Sequence, residues 1–167
     1  MRKIIIIGCP GSGKSTLART LHSLTGIPLY YLDMLNWNAD RTTVSKPLFI
    51  ERLTEVMKND RWIIDGNYGS TIEHRLKECD TVIFLDYPAE LCLKGVEERR
   101  GKPRPDIPWV EKSEDREFTQ FIKDFTQNSR PKIIELLKKY ADRDVHVFTS
   151  REQTDGFLQS IAQKKER

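Results

Sequence analysis

Gly8-Cys9-Pro10-Gly11-Ser12-Gly13-Lys14-Ser15 fits the pattern G-x-x-x-x-G-K-[ST], and the residues on either side decide how to read it. Lys3-Ile4-Ile5-Ile6-Ile7 runs ahead of it, too short for a helix and apolar enough for a buried parallel strand. Behind it, Leu17, Leu21 and Leu24 recur at i, i+4 and i+7, one stripe of an amphipathic helix that Gly26 and Pro28 stop. Strand, glycine loop and helix in this order predict a nucleoside triphosphate site; a plain glycine turn before an ordinary helix is the competing reading. Gly8, Gly11 and Gly13 leave room for backbone N–H groups to converge on phosphate oxygens. The helix that begins near Lys14 points its free N–H groups and positive dipole end at the same anion. Lys14 is expected on the β/γ-phosphates of ATP, Ser15 on Mg²⁺ and Thr16 near the α-phosphate, with Pro10 and Ser12 completing the loop.

At 167 residues the chain is expected to form one domain, residues 1–167, with a core of its own. A hydrophobic content of 38% beside 32% charged residues describes a soluble globule, and a net charge of +3 does not by itself suggest nucleic-acid binding. Three cysteines, Cys9, Cys79 and Cys92, have no metal spacing and fit a reducing cytosol. Cys9 is read as a small neutral filler of the loop, although the helix end would favour its thiolate. The apolar start is too short for a secretory leader, and no stretch has the length of a membrane span. The expected location is the cytoplasm. The tail Gln163 to Arg167 is read as a fraying helix end.

Further along, Leu29 to Asp33 reads as a second strand ending in an acid. Ser45-Lys46-Pro47 opens a helix carrying Phe49, Leu53, Val56 and Met57. Arg61 to Gly66 and Thr81 to Asp86 read as further strands, and Pro88 starts a helix to about Arg99. The prolines at 103, 105 and 108 break the charged segment from Arg100 to Asp115. Helical spacing returns over 116–128 and 131–140, a last strand covers 145–149, and a helix runs from about Gln153 to Lys164. Strands alternating with helices predict an α/β fold with a doubly wound parallel sheet. Asp33, Asp65, Asp86 and the glycine loop each follow a strand, so they converge on the edge where ligands bind.

With the glycine loop, Leu32-Asp33, Trp62-Ile63-Ile64-Asp65-Gly66-Asn67-Tyr68 and Ile83-Phe84-Leu85-Asp86 in order, the chain resembles the adenylate-kinase-like P-loop kinases. Within them it is most similar to the bacterial group labelled topology modulation proteins. The Trp-Ile-Ile-Asp-Gly-Asn-Tyr run and Arg130-Pro131-Lys132 carry that narrower likeness. The resemblance implies a three-layer sandwich with a five-stranded parallel sheet of order 2-3-1-4-5. It also implies a short acceptor-binding insertion at about 34–60 and an arginine-bearing lid at about 99–116. Asp65 would help hold Mg²⁺ through water, Asp33 would hold or deprotonate an acceptor hydroxyl, and Arg99 would reach the ATP phosphates. Two departures stand out. The Phe-Pro-Arg that follows Asp-Gly in adenylate kinases is Asn67-Tyr68-Gly69 here, with Arg75 the candidate substitute for its phosphate-binding arginine. The position of the adenine-stacking arginine is Gly95.

Arg99, Arg100, Arg104 and Arg116 sit in the proline-broken segment, as a lid that closes over phosphates requires. Arg104 joins Lys14, Arg99 and Asp33 as an expected catalytic residue, and Arg151 is expected near the adenine. Asp86 is read as a helix cap, and Trp37 and Tyr68 as either acceptor-stacking or packing residues. No role falls to His22, His74 or His146. The expected activity is transfer of the γ-phosphoryl group of ATP, with Mg²⁺, to a small acceptor: a nucleotide, nucleoside or other small hydroxyl compound. A nucleic-acid-associated ATPase acting on DNA topology is the rival, and DNA the less favoured partner. A nucleotide-binding protein without turnover is the third reading.

Overall fold

Four consecutive isoleucines need cover on both faces, and the centre of a parallel sheet supplies it. In the computed structural model, which describes residues 1–165, β1 (Lys3–Gly8) carries Ile4 to Ile7 fully buried. It pairs in parallel with β3 (Trp62–Asp65) on one side and β4 (Thr81–Leu85) on the other. The edges are β2 (Leu29–Tyr31) and β5 (Asp144–Phe148), giving the expected order β2-β3-β1-β4-β5. Ile6 lies opposite Asp65 and Gly8 opposite Leu85, so the glycine loop, Asp65 and Asp86 emerge at one edge of the sheet.

Both faces are covered by α1 (Lys14–Thr25), α2 (Leu32–Asn36), α3 (Lys46–Met57), α4 (Gly69–Glu78), α5 (Ala89–Arg99), α6 (Arg116–Asn128), α7 (Arg130–Lys139) and α8 (Arg151–Lys165). Ser45 caps α3 as its sequence suggests, its Oγ accepting from the Leu48 N–H at 3.3 Å with proline in the first turn. Asp115 caps α6 in the same way, accepting from the Phe118 N–H at 3.1 Å. The segment between α5 and α6 has no regular element, in agreement with its prolines. Among the described residues no helix is long and apolar enough to cross a membrane.

Three readings change. Asp33 does not directly follow the second strand. The chain leaves β2 at Tyr31 and turns at once into α2, whose first turn holds Asp33. Residues 69–78, to which the sequence reading assigns no element, form α4, with Ile72 and Leu76 inward. Asp86 does not cap α5, because its carboxylate takes both Nε and Nη2 of Arg130 at 2.8–3.0 Å. That forked pair ties the end of β4 to the start of α7. Of the tail expected to fray, Glu166 and Arg167 lie outside the described residues.

Candidate active site

Gly13 stands at φ 95° at the head of α1, a left-handed conformation that lets the loop turn its N–H groups inward. Gly11 shares that positive φ, at 80°, and is held to glycine by lack of space as well. A Cβ there would fall 2.0 Å from the Cys92 carbonyl oxygen of α5, and one on Gly95 would fall 2.1 Å from the Gly11 oxygen. Loop and helix therefore touch backbone to backbone, which accounts for the glycine where an adenine-stacking arginine was sought. Lys14 folds its ammonium onto the Cys9 carbonyl at 3.1 Å, and burial lowers its pKa. Cys9 is buried, and its hydrogen bond to Cys92 together with that burial pushes its thiol pKa up. These two effects keep the thiol protonated, in keeping with a neutral filler.

Asn67 and Arg75 explain the departure from Phe-Pro-Arg. The Asn67 side chain pairs with both backbone groups of Gly8: its Oδ1 accepts from the Gly8 N–H at 2.8 Å and its Nδ2 donates to the Gly8 carbonyl. Arg75 is fully buried and donates to the Gly66 carbonyl at 2.9 Å and to the Asn67 carbonyl. Desolvation pulls its pKa down to about 9. It is thus a strut of the β3–α4 loop and not a phosphate ligand, correcting the substitute role considered for it.

Three carboxylates gather beside the loop. Ser15 Oγ donates to Asp65 Oδ2 at 2.5 Å and lies 3.3 Å from Asp106 Oδ2. Desolvation raises the pKa of Asp65 to about 6, against the pull of Lys14 and the Ser15 bond. Asp33 accepts from Tyr68 Oη at 2.6 Å, and burial raises its pKa too. The same phenol oxygen accepts from Trp37 Nε1 at 3.0 Å and Asn36 Nδ2 at 3.3 Å. Tyr68 takes φ 40°, a strained setting for a residue with a Cβ, and packs its ring on Phe49 at 5.1 Å.

The lid arginines are held by charge but short of acceptors. Glu111 Oε2 lies 3.3 Å from Arg99 Nε and 3.5 Å from Arg104 Nη1, and Asp106 Oδ2 lies 3.4 Å from Arg104 Nη2. Among the described residues Arg99 Nε, Arg104 Nε and Arg104 Nη1 are nonetheless buried without a hydrogen bond. Guanidinium groups held at a cleft by long, poorly aligned ion pairs are suited to take up an anion's oxygens. The segment between α5 and α6 packs on the stretch that follows α2, Trp109 meeting Trp37 edge-on at 5.1 Å and Arg41 donating to the Val110 carbonyl at 3.2 Å.

Two cavities result. One of about 800 Å³ lies against Asp33, Asp65, Trp37, Tyr68 and Trp109, with Arg100 and Arg116 also on its wall. The other, about 670 Å³, lies against Gly11, Ser12, Gly13, Thr16 and Arg151. Lys14, Ser15, Arg99, Arg104 and Asp106 border both. Two of the expected nucleotide residues sit elsewhere: Pro10 faces the first cavity, and Gly8 lines neither because Asn67 encloses it. Asp106, Glu111, Trp109 and Asn67 were missed. Only Ile107 and the prolines around Asp106, an apolar anchor in a hydrophilic stretch, could have drawn attention to that aspartate.

No protein-family profile matches the chain, and no curated protein matches it in sequence. In structure it is similar to a shikimate kinase from Acinetobacter baumannii in complex with shikimate, at 20% identity and a TM-score of 0.63, over 100% of this chain and 96% of that one. It is also similar to a shikimate kinase from Bacteroides thetaiotaomicron, at 20% identity and a TM-score of 0.57, over 98% of each chain. At this identity the likeness establishes the fold, and function has to be argued from the site.

Proposed function

We propose that this chain is an ATP-dependent phosphotransferase that moves the γ-phosphoryl group to a small acceptor bound beside Asp33. One observation carries the reading: the loop cavity and the Asp33 cavity meet at Lys14, Ser15, Arg99 and Arg104. A donor in one and an acceptor in the other would present their reacting ends to the same cations, and alignment with charge neutralisation is most of what phosphoryl transfer needs. The loop amides and Lys14 would hold the β/γ-phosphates. Arg99 and Arg104, held by ion pairs that form no good hydrogen bond at Arg99 Nε or Arg104 Nη1, would turn their guanidinium groups to the transferring oxygens.

The donors present fit Mg²⁺. They are oxygens only, and Asp65 Oδ1 is buried without a hydrogen-bond partner among the described residues. Ser15 and Asp65 would hold the ion, which when bound supplies neutralising charge at the phosphates. Asp33 would orient the acceptor hydroxyl and take up its proton. Tyr68 occupies one carboxylate oxygen, and burial moves the pKa upward, toward that of a useful base. The neighbour that carries shikimate supports a small-molecule acceptor.

The test is ATP turnover with Mg²⁺ across a panel of nucleosides, nucleoside monophosphates and small hydroxy compounds, read as ADP release and product mass. The expected result is ADP release that needs one acceptor class and a product heavier by one phosphoryl group. Turnover stimulated by DNA alone, with no acceptor effect, would overturn it.

A further inference from the structure

Ser15 has one hydroxyl proton, and two carboxylates face it. The proton goes to Asp65 Oδ2 at 2.5 Å, while Asp106 Oδ2 stands 3.3 Å from the same oxygen with none to receive. Both acids are deeply buried, at 5% and 6% exposure, and Asp65 Oδ1 has no hydrogen-bond partner among the described residues. Neighbouring cations compensate only in part. Lys14 directs its ammonium to the Cys9 carbonyl, and Arg104 reaches Asp106 only at 3.4 Å, longer than a good charge-assisted bond. Glu111 already serves as counter-charge to both Arg99 and Arg104, so Asp106 is surplus to that need. Pro105 and Pro108 flank Asp106, and buried Ile107 beside it anchors the turn that aims the carboxylate inward.

We propose that Asp106 is a metal-side residue: with Ser15 and Asp65 it completes an all-oxygen site for the hard divalent cation that accompanies the nucleotide, so that the lid itself contributes a carboxylate to the metal. This rests on the nucleotide reading given above. The described residues hold no group of three or more His, Cys, Asp or Glu side chains suited to a metal. The protein's share is therefore two carboxylates and a hydroxyl, with phosphate and water supplying the remainder, as is usual for Mg²⁺. A lid acid at the metal makes cation loading and lid docking favour each other, because each supplies what the other lacks.

The probe is Mn²⁺ with ADP, followed by calorimetry and by the Mn²⁺ paramagnetic resonance spectrum, against ADP alone in chelator. Asp106→Asn should weaken Mn²⁺·ADP binding about tenfold or more, leave metal-free ADP binding unchanged or tighter, and alter the Mn²⁺ spectrum. Asp106→Ser is the second variant, should the first fail to fold. Arg104→Ala should instead weaken ADP binding with and without metal alike. The assignment is overturned if the Asp106 variants lose both forms equally or neither. A wild-type protein that binds neither form sinks the nucleotide reading itself.

Discussion

Asp65 is a carboxylate kept in a place that penalises its charge, and the cost can be measured. Its pKa is pushed up to about 6 by burial, against 3.8 for the free side chain. The folded protein therefore holds the proton more tightly than the unfolded chain. The stability this confers is complete below pH 3.8 and is lost as pH rises through about 6. At pH 7 in chelator, Asp65→Asn should stabilise the empty protein by up to about 3 kcal/mol, an advantage that shrinks toward pH 4. Denaturant unfolding at several pH values would show it; a variant less stable at pH 7 would contradict the assigned environment. Tyr68 is the second residue with a distinct signature. Its hydrogen bond lowers the Asp33 pKa against burial, so Tyr68→Phe should move the acidic limb of the kcat–pH profile to higher pH. It also strips Trp37 Nε1 of its acceptor, which costs about 1–3 kcal/mol. An unmoved limb would remove Asp33 from the role of base.

Between elements, the closest contact is that of the glycine loop with α5. Gly95→Ala would place a methyl group 2.1 Å from the Gly11 oxygen, and the obstructing atoms are backbone. Overpacking of this kind costs about 1–3 kcal/mol, and here the strain falls on the loop proposed to grip phosphate. A lowered melting temperature together with at least about tenfold weaker ADP binding is the expected outcome in thermal and calorimetric measurements. Unaltered binding would mean that the loop yields more readily than its double clamp by α5 and Asn67 implies. The β3–α4 loop is built with similar redundancy, since Asn67 and Tyr68 point to different partners while Arg75 holds the Gly66 and Asn67 carbonyls.

Across the whole molecule, the cavity beside Asp33, proposed for the acceptor, is walled by the α5–α6 segment lying against Trp37 through Trp109. Trp109→Ala should lower kcat/KM for the acceptor about tenfold, while costing about 1 kcal/mol or less of global stability, as an aromatic edge contact does. Steady-state kinetics and thermal unfolding on the same sample would check both; equal losses in each would point to packing alone. How much of this was legible beforehand varied with distance along the chain. The isoleucine strand, the loop and α1 are contiguous, and their patterning carries both fold and phosphate chemistry. The positions of Asp65 and Arg99 were legible because each ends a regular element, a strand and a helix. Asp106, Glu111 and Trp109 were not, because they occupy an irregular segment with no period to betray which side chains turn inward. Arg75 was misread for the same kind of reason: an arginine's charge suggests a ligand until its guanidinium is found capping two buried carbonyls. Local patterning settles the run of strands and helices and the glycine loop between β1 and α1, since each of these is written in contiguous residues. Which acids meet at Ser15, and how loosely Arg99 and Arg104 are held, emerge only in the folded chain, because both follow from how a segment 91 residues away settles on the loop.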